Sequence, residues 1–163
     1  KQVFKKRKSG FRSTRGALAG AKDMQIQYIN DPSKISSQAL EGFFVGWSTH
    51  PSPKNHLKVL TNSTVCWLAM ETDRCVGFVY AISDGFFYSY IPLLEVIPDY
   101  QGSGIASELL KRIVQSLDSM YAIDIVCDEA LKDFYESRGF TSFHGQAIRN
   151  YANQAGPANK GTV

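Results

Sequence analysis

Cysteine and histidine are scarce in this sequence, and their placement argues against a metal centre or a disulfide framework. The 163 residues include three cysteines, an odd number, with no metal-ligand spacing. A reducing compartment therefore fits best. The three histidines form neither an HxxxH pair nor a local triad-like pattern, which disfavours a zinc enzyme or a serine hydrolase. No apolar run approaches the ~18 residues of a membrane span, and no h-region marks a secretory signal. We expect no metal and no membrane association.

Acidic residues are absent from the first 22 positions, which carry eight basic side chains. The rest of the chain holds the other 10 basic and all 15 acidic residues, a net charge of −5, although the whole chain is +3. We predict a basic leader, tail or added extension over 1–22, one folded domain over 23–152, and a polar tail over 153–163. The folded domain is expected to bind no nucleic acid. We expect a cytoplasmic protein, with an organellar or nuclear destination open if the basic segment is native.

Hydrophobic periodicity predicts a mixed fold. Alternating runs predict strands, whereas Ile105, Leu109 and Ile113 recur every four residues and predict an amphipathic helix. The connections between the middle strands are too short for crossovers, so these strands should be antiparallel. The strand–helix–strand unit that follows should pair its strands in parallel. The predicted strands are Met24–Asn30, Val65–Met70, Cys75–Ile82, Phe86–Val96, a buried Ala122–Cys127, Phe140–Phe143 and Ala147–Tyr151, and the predicted helices are Ser33–Gly46, one starting at Pro53 with Ser52 as N-cap, Ile105–Leu117 and Leu131–Ser137.

The junction between the strand ending at Val96 and the amphipathic helix contains a short glycine loop. Gly102 and Gly104 allow a tight turn, and the helix after them presents unpaired N–H groups and a partial positive charge. Such a loop suits a pyrophosphate. No Lys-Ser/Thr follows, as a Walker loop requires, and Ser107 replaces the third glycine of a dinucleotide fingerprint. The three residues Gly102-Ser103-Gly104 alone favour a plain strand-to-helix turn.

Two longer motifs surround this loop. The segment Val96-x-Pro-x-Tyr-Gln-Gly-Ser-Gly-Ile-Ala106 resembles motif A of the GNAT superfamily, the acetyl-CoA-dependent N-acetyltransferases. The segment Cys127–Phe140 looks like motif B of that superfamily, and its sequence is similar to that motif in the arylalkylamine N-acetyltransferases. The element order also matches from Met24 to about Tyr151. The resemblance implies a GNAT-like α/β (α+β) fold: a mostly antiparallel sheet, one parallel pair splayed around the cofactor, and helices on both faces.

The resemblance also implies where acetyl-CoA would bind. Its pantetheine arm would lie between the strands ending at Val96 and Cys127, and backbone N–H groups from Gln101 to Ala106 would hold the pyrophosphate. Asp128 stands where the family usually has Asn, and an Asp can accept but not donate as Asn does. The implied cofactor-binding residues are Leu94, Val96, Gln101, Gly102, Ser103, Gly104, Ile105, Ala106, Asp128, Leu131 and Phe134.

Tyr135 and Glu95 are the candidate catalytic residues. Tyr135 matches the family tyrosine near the cofactor sulfur that serves as general acid, and the Val96 N–H would hold the oxyanion. Glu95 lies in an apolar strand, where desolvation is expected to raise its pKa toward that of a general base. It could instead face solvent or only attract a cationic substrate. Asp84, Asp99 and Glu41 stay open as bases acting through water.

The acceptor substrate is the part of the implied reaction that the sequence specifies least. We expect direct attack by a primary amine in a ternary complex, with a small-molecule amine preferred. A protein lysine or N-terminal acetyltransferase and a non-catalytic acyl-CoA-binding module are the alternatives. Trp47 and the aromatic run Phe86–Tyr90 could form a cation–π pocket or simply pack on the sheet, and the charge of −5 favours a cation. A homodimer is left open.

Overall fold

A five-stranded sheet in the order β1-β2-β3-β4-β5 forms the centre of residues 25–156, the part of the chain that the computed structural model describes. The predicted segment 1–22, Met24 and the end of the polar tail lie outside these residues. Neighbouring strands are antiparallel except β4 and β5, which are parallel. The strands are β1 Ile26–Ile29, β2 Val65–Glu71, β3 Arg74–Ser83, β4 Tyr88–Val96 and β5 Ala122–Ile125, and the helices are α1 Pro53–Thr61, α2 Ile105–Ser116 and α3 Lys132–Glu136.

Helix α2 covers one face of the sheet. Gly77 of β3 makes this packing close, because a Cβ there would lie 3.1 Å from Ile105 Cγ2, Leu109 Cδ1 and Val96 Cγ2. At the far end of the helix, Trp67 Nε1 donates to the hydroxyl of Ser116 at 3.0 Å. These contacts set where α2 begins relative to the end of β4, and so position the glycine loop between them.

The opposite face packs against α1 and the segment before it. Phe78 of β3 is fully buried there, with its ring centroid 4.9 Å from Phe43 and 4.3 Å from His56. Helix α1 begins as predicted, since the Ser52 hydroxyl accepts the Asn55 N–H at 3.2 Å. Helices therefore lie on both faces of a mixed sheet, which confirms the predicted fold class.

The helix predicted over Ser33–Gly46 is wrong. Two short 3₁₀ helices, Pro32–Lys34 and Ser37–Leu40, precede an irregular loop. Phe43 and Phe44 are adjacent and both buried, whereas consecutive residues of a helix point about 100° apart. Tertiary burial thus overrides the four-residue spacing seen in the sequence. Positive φ angles also break the segment, at Gly42 (93°), Phe44 (64°) and Gly46 (85°).

The chain after α2 departs from prediction in three places. Strand β5 ends at Ile125 and is half-buried rather than buried. The predicted helix Leu131–Ser137 is shorter than expected, because Leu131 ends a 3₁₀ helix, Glu129–Leu131, and α3 begins at Lys132. The strands predicted over 140–143 and 147–151 do not form. Phe140 packs against Tyr135, but Phe143 is 87% and Ile148 97% exposed, so these two apolar side chains gain no burial that would favour a strand. A 3₁₀ helix spans Tyr151–Asn153. No helix within 25–156 is long and apolar enough to cross a membrane.

Candidate active site

The parallel strands β4 and β5 separate part-way along their length. Their pairing runs from Tyr88 opposite Ala122 to Ile91 opposite Ile125. Beyond that point β4 continues to Val96 with no β5 partner, while β3 still pairs with its other edge. The predicted splay is confirmed. Among residues 25–156, no strand pairs with the edge of β4 that includes Leu94 and Val96, so this edge can receive an extended ligand.

The glycine loop directly follows this open edge. Gly102 and Gly104 have φ angles of 76° and 88°, and a Cβ at either would meet no heavy atom within 4 Å. The N–H groups from Gly102 to Ser107 make no hydrogen bond to any residue in 25–156. Successive unpaired N–H groups at a left-handed turn form a concave site for an anion. The loop therefore fits the pyrophosphate that the sequence predicts.

Gln101 and Ser103 brace the loop from within. The Gln101 amide Nε2 donates to the Val96 carbonyl at 2.9 Å, and the Ser103 hydroxyl donates to the Tyr100 carbonyl. The Gln101 N–H already donates to the Pro98 carbonyl. The N–H groups available to a ligand therefore begin at Gly102 rather than at Gln101.

Tyr135 lies in α3 and is only 6% exposed. Its ring packs edge-on against Phe134 and Phe140, with centroid distances of 5.0 and 5.7 Å. Burial, with a smaller contribution from nearby Cys127, raises the pKa of Tyr135 to about 12. Its hydroxyl makes no hydrogen bond to the described residues. The phenol is thus a neutral donor at physiological pH, as a general acid requires.

Of the remaining motif B residues, Asp128 and Leu131 lie just before α3 and Phe134 lies within it. Asp128 is exposed and its carbonyl accepts the Leu131 N–H at 2.8 Å. Leu131 is 46% exposed. Phe134 is half-buried beneath the guanidinium of Arg138, which lies 3.8 Å from its ring centroid.

Arg138 also connects motif A with motif B. This role for Arg138 was not predicted from the sequence. Its Nη2 donates to the Ser107 hydroxyl at 2.6 Å, and its Nη1 donates to the Phe134 carbonyl at 2.6 Å. Motif B therefore lies against the first turn of α2. The four-residue spacing of Phe134 and Arg138 signals their contact, but no local pattern signals Ser107 as a partner.

Glu95 points to the face opposite α2. It pairs across the sheet with Phe78, and its two carboxylate oxygens accept the N–H groups of Phe44 and Val45, each at 3.0 Å. The side chain is therefore half-buried and bonded rather than on a solvated face. Each oxygen keeps a second lone pair.

The other acids differ in their surroundings. Asp84 Oδ1 accepts the N–H groups of Phe86, Phe87 and Tyr88 at 2.8, 2.8 and 3.1 Å, and these bonds lower the pKa of Asp84. It thus caps the turn between β3 and β4. Asp99 and Glu41 are both exposed.

The aromatic run Phe86–Tyr90, for which a pocket and packing on the sheet were both left open, lies at the end of β4 opposite to Glu95. Phe86, Phe87 and Tyr88 are 73%, 54% and 53% exposed. Tyr88 begins β4, about 23 Å from Glu95 at 3.3 Å per residue. Trp47 instead packs on Phe44, with ring centroids 5.1 Å apart, and the Phe44 N–H is bonded to Glu95.

Two shallow depressions of about 410 and 390 Å³ lie between the Ser37–Leu40 helix and the β2–β3 turn, sharing Gln38 and Arg74. Neither Tyr135, Glu95 nor any predicted cofactor-binding residue lines them, whereas Glu41, one of the acids left open as a base, lines the second. Within 25–156, no group of three or more His, Cys, Asp or Glu side chains could hold a metal ion.

The model of the acetyltransferase (GNAT) domain matches residues 33–152. This chain belongs to the GNAT acetyltransferase family. It is 27% identical to N-acetyltransferase ycf52 of Pyropia yezoensis over 69% of each chain. A solved structure from Deinococcus radiodurans R1, described as an acetyltransferase, is 35% identical, covers 90% of this chain and 100% of its own, and superposes with a TM-score of 0.80. N-alpha-acetyltransferase 30 of Schizosaccharomyces pombe is 29% identical over 53% of this chain and 63% of its own. The protein is therefore an acyltransferase, of a family that uses acetyl-CoA.

Proposed function

We propose that this GNAT protein moves the acetyl group of acetyl-CoA to a primary amine by direct attack in a ternary complex. One observation carries the proposal: the unpaired N–H groups of the glycine loop lie directly after the unpaired edge of β4. An extended acyl carrier with a pyrophosphate at one end matches that order. Bound acetyl-CoA would supply an activated thioester.

The residues present fit this cosubstrate. The N–H groups of Gly102 to Ala106 would bind the pyrophosphate, with no Cβ at the two glycines to obstruct it. The open edge of β4 at Leu94 and Val96 would bind the pantetheine arm. Asp128, Leu131 and Phe134 would contact the other side of the arm from α3 and the turn before it.

Tyr135 is proposed as the general acid. The amine loses its ammonium proton to water, and the neutral nitrogen bonds to the thioester carbonyl carbon. The carbon–sulfur bond breaks, the nitrogen gives its surplus proton to water, and the sulfur takes a proton from the Tyr135 phenol, which water reprotonates, and leaves as a thiol. A buried phenol with a raised pKa is a protonated donor throughout the physiological range. The Val96 N–H is proposed to stabilise the oxyanion, a role that no side-chain substitution removes.

The acceptor is proposed to be a small cationic amine. The net charge of −5 beyond the basic segment favours a cation. Trp47, packed against Phe44, offers an aromatic face beside the open edge of β4. A protein N-terminus is the second candidate, because the Schizosaccharomyces pombe relative is named for N-alpha acetylation.

An acetylation screen tests the proposal. Acetyl-CoA is supplied with polyamines, arylalkylamines, aminoglycosides, amino acids and N-terminal or lysine peptides, and release of the CoA thiol is recorded. Thiol release that depends on a small amine is expected. Release only with peptides would favour the protein acetyltransferase, and CoA binding without release would favour the non-catalytic module.

The compartment is proposed to be cytoplasmic, with the organellar alternative supported by one relative. GCN5-related N-acetyltransferase 2, chloroplastic, of Arabidopsis thaliana is 27% identical over 59% of this chain and 45% of its own. Comparing the location of tagged chains with and without residues 1–22 decides between them. Organellar location that depends on this segment would overturn the cytoplasmic proposal.

A further inference from the structure

We propose that Glu95 is a positioning residue: its carboxylate holds residues 42–47, the acceptor loop, beside the open edge of β4, and it is not the base. The proposal rests on the proposed acetyl transfer, since it assigns a role within that reaction. Glu95 acts on the acceptor amine through the loop rather than by taking a proton from it.

The geometry at Glu95 is that of a two-point clamp. Oε2 accepts the Phe44 N–H and Oε1 accepts the Val45 N–H, both at 3.0 Å, across 51 and 50 residues of sequence. Phe44 has a φ angle of 64°, which non-glycine residues rarely adopt. A left-handed residue can turn two successive N–H groups toward one anion. The strained turn and the carboxylate are therefore parts of one arrangement, in which each fits the other.

The clamp also fixes the aromatic side chains of the acceptor loop. The Trp47 N–H donates to the Phe44 carbonyl at 3.1 Å, and the Phe44 ring lies 4.8 Å from that of His56. Holding the backbone at Phe44 thus holds Trp47 as well. Beyond the loop, the Ser48 hydroxyl donates to Gln154 Oε1 at 2.9 Å.

The position of Glu95 along β4 makes this clamp relevant to the acceptor. Glu95 directly precedes Val96, in the stretch that no longer pairs with β5. The acceptor loop is therefore attached where the amine would meet the thioester. A clamp needs the carboxylate to stay charged and in place, whereas a base must take up a proton in every turnover.

Two variants separate these roles. Glu95→Gln keeps one acceptor oxygen and replaces the other with an NH2 group, so in the native geometry one of the two N–H groups faces a donor instead of an acceptor. Glu95→Asp keeps a carboxylate but is one methylene too short for the loop. Asp118→Asn is the matched control, because it removes one negative charge from an exposed turn after α2.

The first readout is amide hydrogen exchange at Phe44 and Val45 in the full chain, which requires no substrate. We expect protection at both amides to fall about tenfold or more in Glu95→Gln and Glu95→Asp, and to be unchanged in Asp118→Asn. CoA affinity, measured by calorimetry, should stay within about twofold of the unmodified protein. Unchanged exchange in both Glu95 variants would overturn the proposal.

The second readout is the pH profile of acetylation, with the fastest acceptor of the amine panel. Both Glu95 variants should raise the acceptor KM more than they lower kcat and should keep the acidic limb of the profile. Loss of that limb in Glu95→Gln, with an unchanged acceptor KM, would identify Glu95 as the base and overturn the proposal. If the unmodified protein binds no CoA, the proposed function fails, and the exchange data still decide whether the clamp exists.

Discussion

The glycine loop that follows β4 and the acceptor loop bonded to Glu95 differ in how far apart their contacting residues lie in the sequence. The glycine loop and α2 come directly after β4 in one contiguous segment, and their binding groups are backbone N–H groups. On the acceptor side, Glu95 meets residues 50 positions away, and the contact depends on a side chain. A site made of local backbone is conspicuous in the sequence, whereas a site made of distant contacts is not.

The largest expected effect is a loss of CoA affinity caused by a substitution in the glycine loop. Gly104→Val should lower CoA affinity about 100-fold or more, because a branched side chain at a φ of 88° crowds the anion site and strains the loop. Gly85→Val is the matched control, since Gly85 has a φ of 78° and equally open surroundings at the far end of β4. Calorimetry should show normal CoA binding in that control. Weak binding in both variants would mean that general destabilisation, not the cradle, explains the loss.

Tyr135→Phe should lower kcat about 100-fold while CoA affinity changes less than about twofold, since the phenol acts on the leaving sulfur and not on the cofactor's anion. Because the Tyr135 pKa is raised to about 12, activity in the unmodified protein should show no alkaline loss from this group up to about pH 10. Tyr121→Phe, on an 81% exposed side chain, is the control for steady-state kinetics. A kcat unaltered by Tyr135→Phe would remove its acid role.

The stability of the protein should fall in acid because of His56, which packs against Phe44 of the acceptor loop. Burial lowers its pKa to about 4, an effect that the Leu40 backbone partly offsets. Neither ring nitrogen makes a hydrogen bond of normal geometry within 25–156. The unfolded chain titrates near 6.5, so stability is complete above that pH and is lost as the pH falls toward 4, by roughly 3 kcal/mol.

Urea unfolding between pH 4 and 7 measures this loss. His56→Leu should flatten the pH dependence, whereas His144→Gln, at an exposed position, should not. An unchanged slope in His56→Leu would assign the acid sensitivity to another group.

The smallest expected effect is at Gly77, where the sheet meets α2. Gly77→Ala places a Cβ 3.1 Å from three buried side chains and should cost about 1–3 kcal/mol of stability. Since those side chains include Ile105, the first residue of α2, we also expect CoA affinity to weaken severalfold. Thermal unfolding with and without CoA measures both. A variant as stable as the unmodified protein would show that α2 can shift without loss.

Sequence reasoning recovered the elements whose neighbours are close in the chain. The four-residue period from Ile105 to Ile113 reports the face that α2 buries, and the short connections around β3 leave only antiparallel pairing. The family and fold class followed from these patterns and from two motifs. Which residues bind the cofactor and act in catalysis stays a prediction.

The segments that failed depend on contacts that no local pattern contains. Between Ser33 and Gly46, the spacing of Ile35, Ala39 and Phe43 suits a helix, but the burial of Phe44 beside Phe43 and its bonds to Glu95 require an irregular loop. Near residue 145, Phe143 and Ile148 lie in the two segments predicted as strands, yet both are almost fully exposed. Tertiary packing decided both cases.

The proposed function depends above all on binding of an acyl-CoA pyrophosphate to the free N–H groups of the glycine loop. Titration of the isotope-labelled full chain with CoA, followed by the backbone amide resonances, tests it directly. We predict saturable binding with the largest shifts at Gly102, Ser103, Gly104 and the first turn of α2. Saturable binding that leaves these amides unshifted, or no binding at all, would contradict the account.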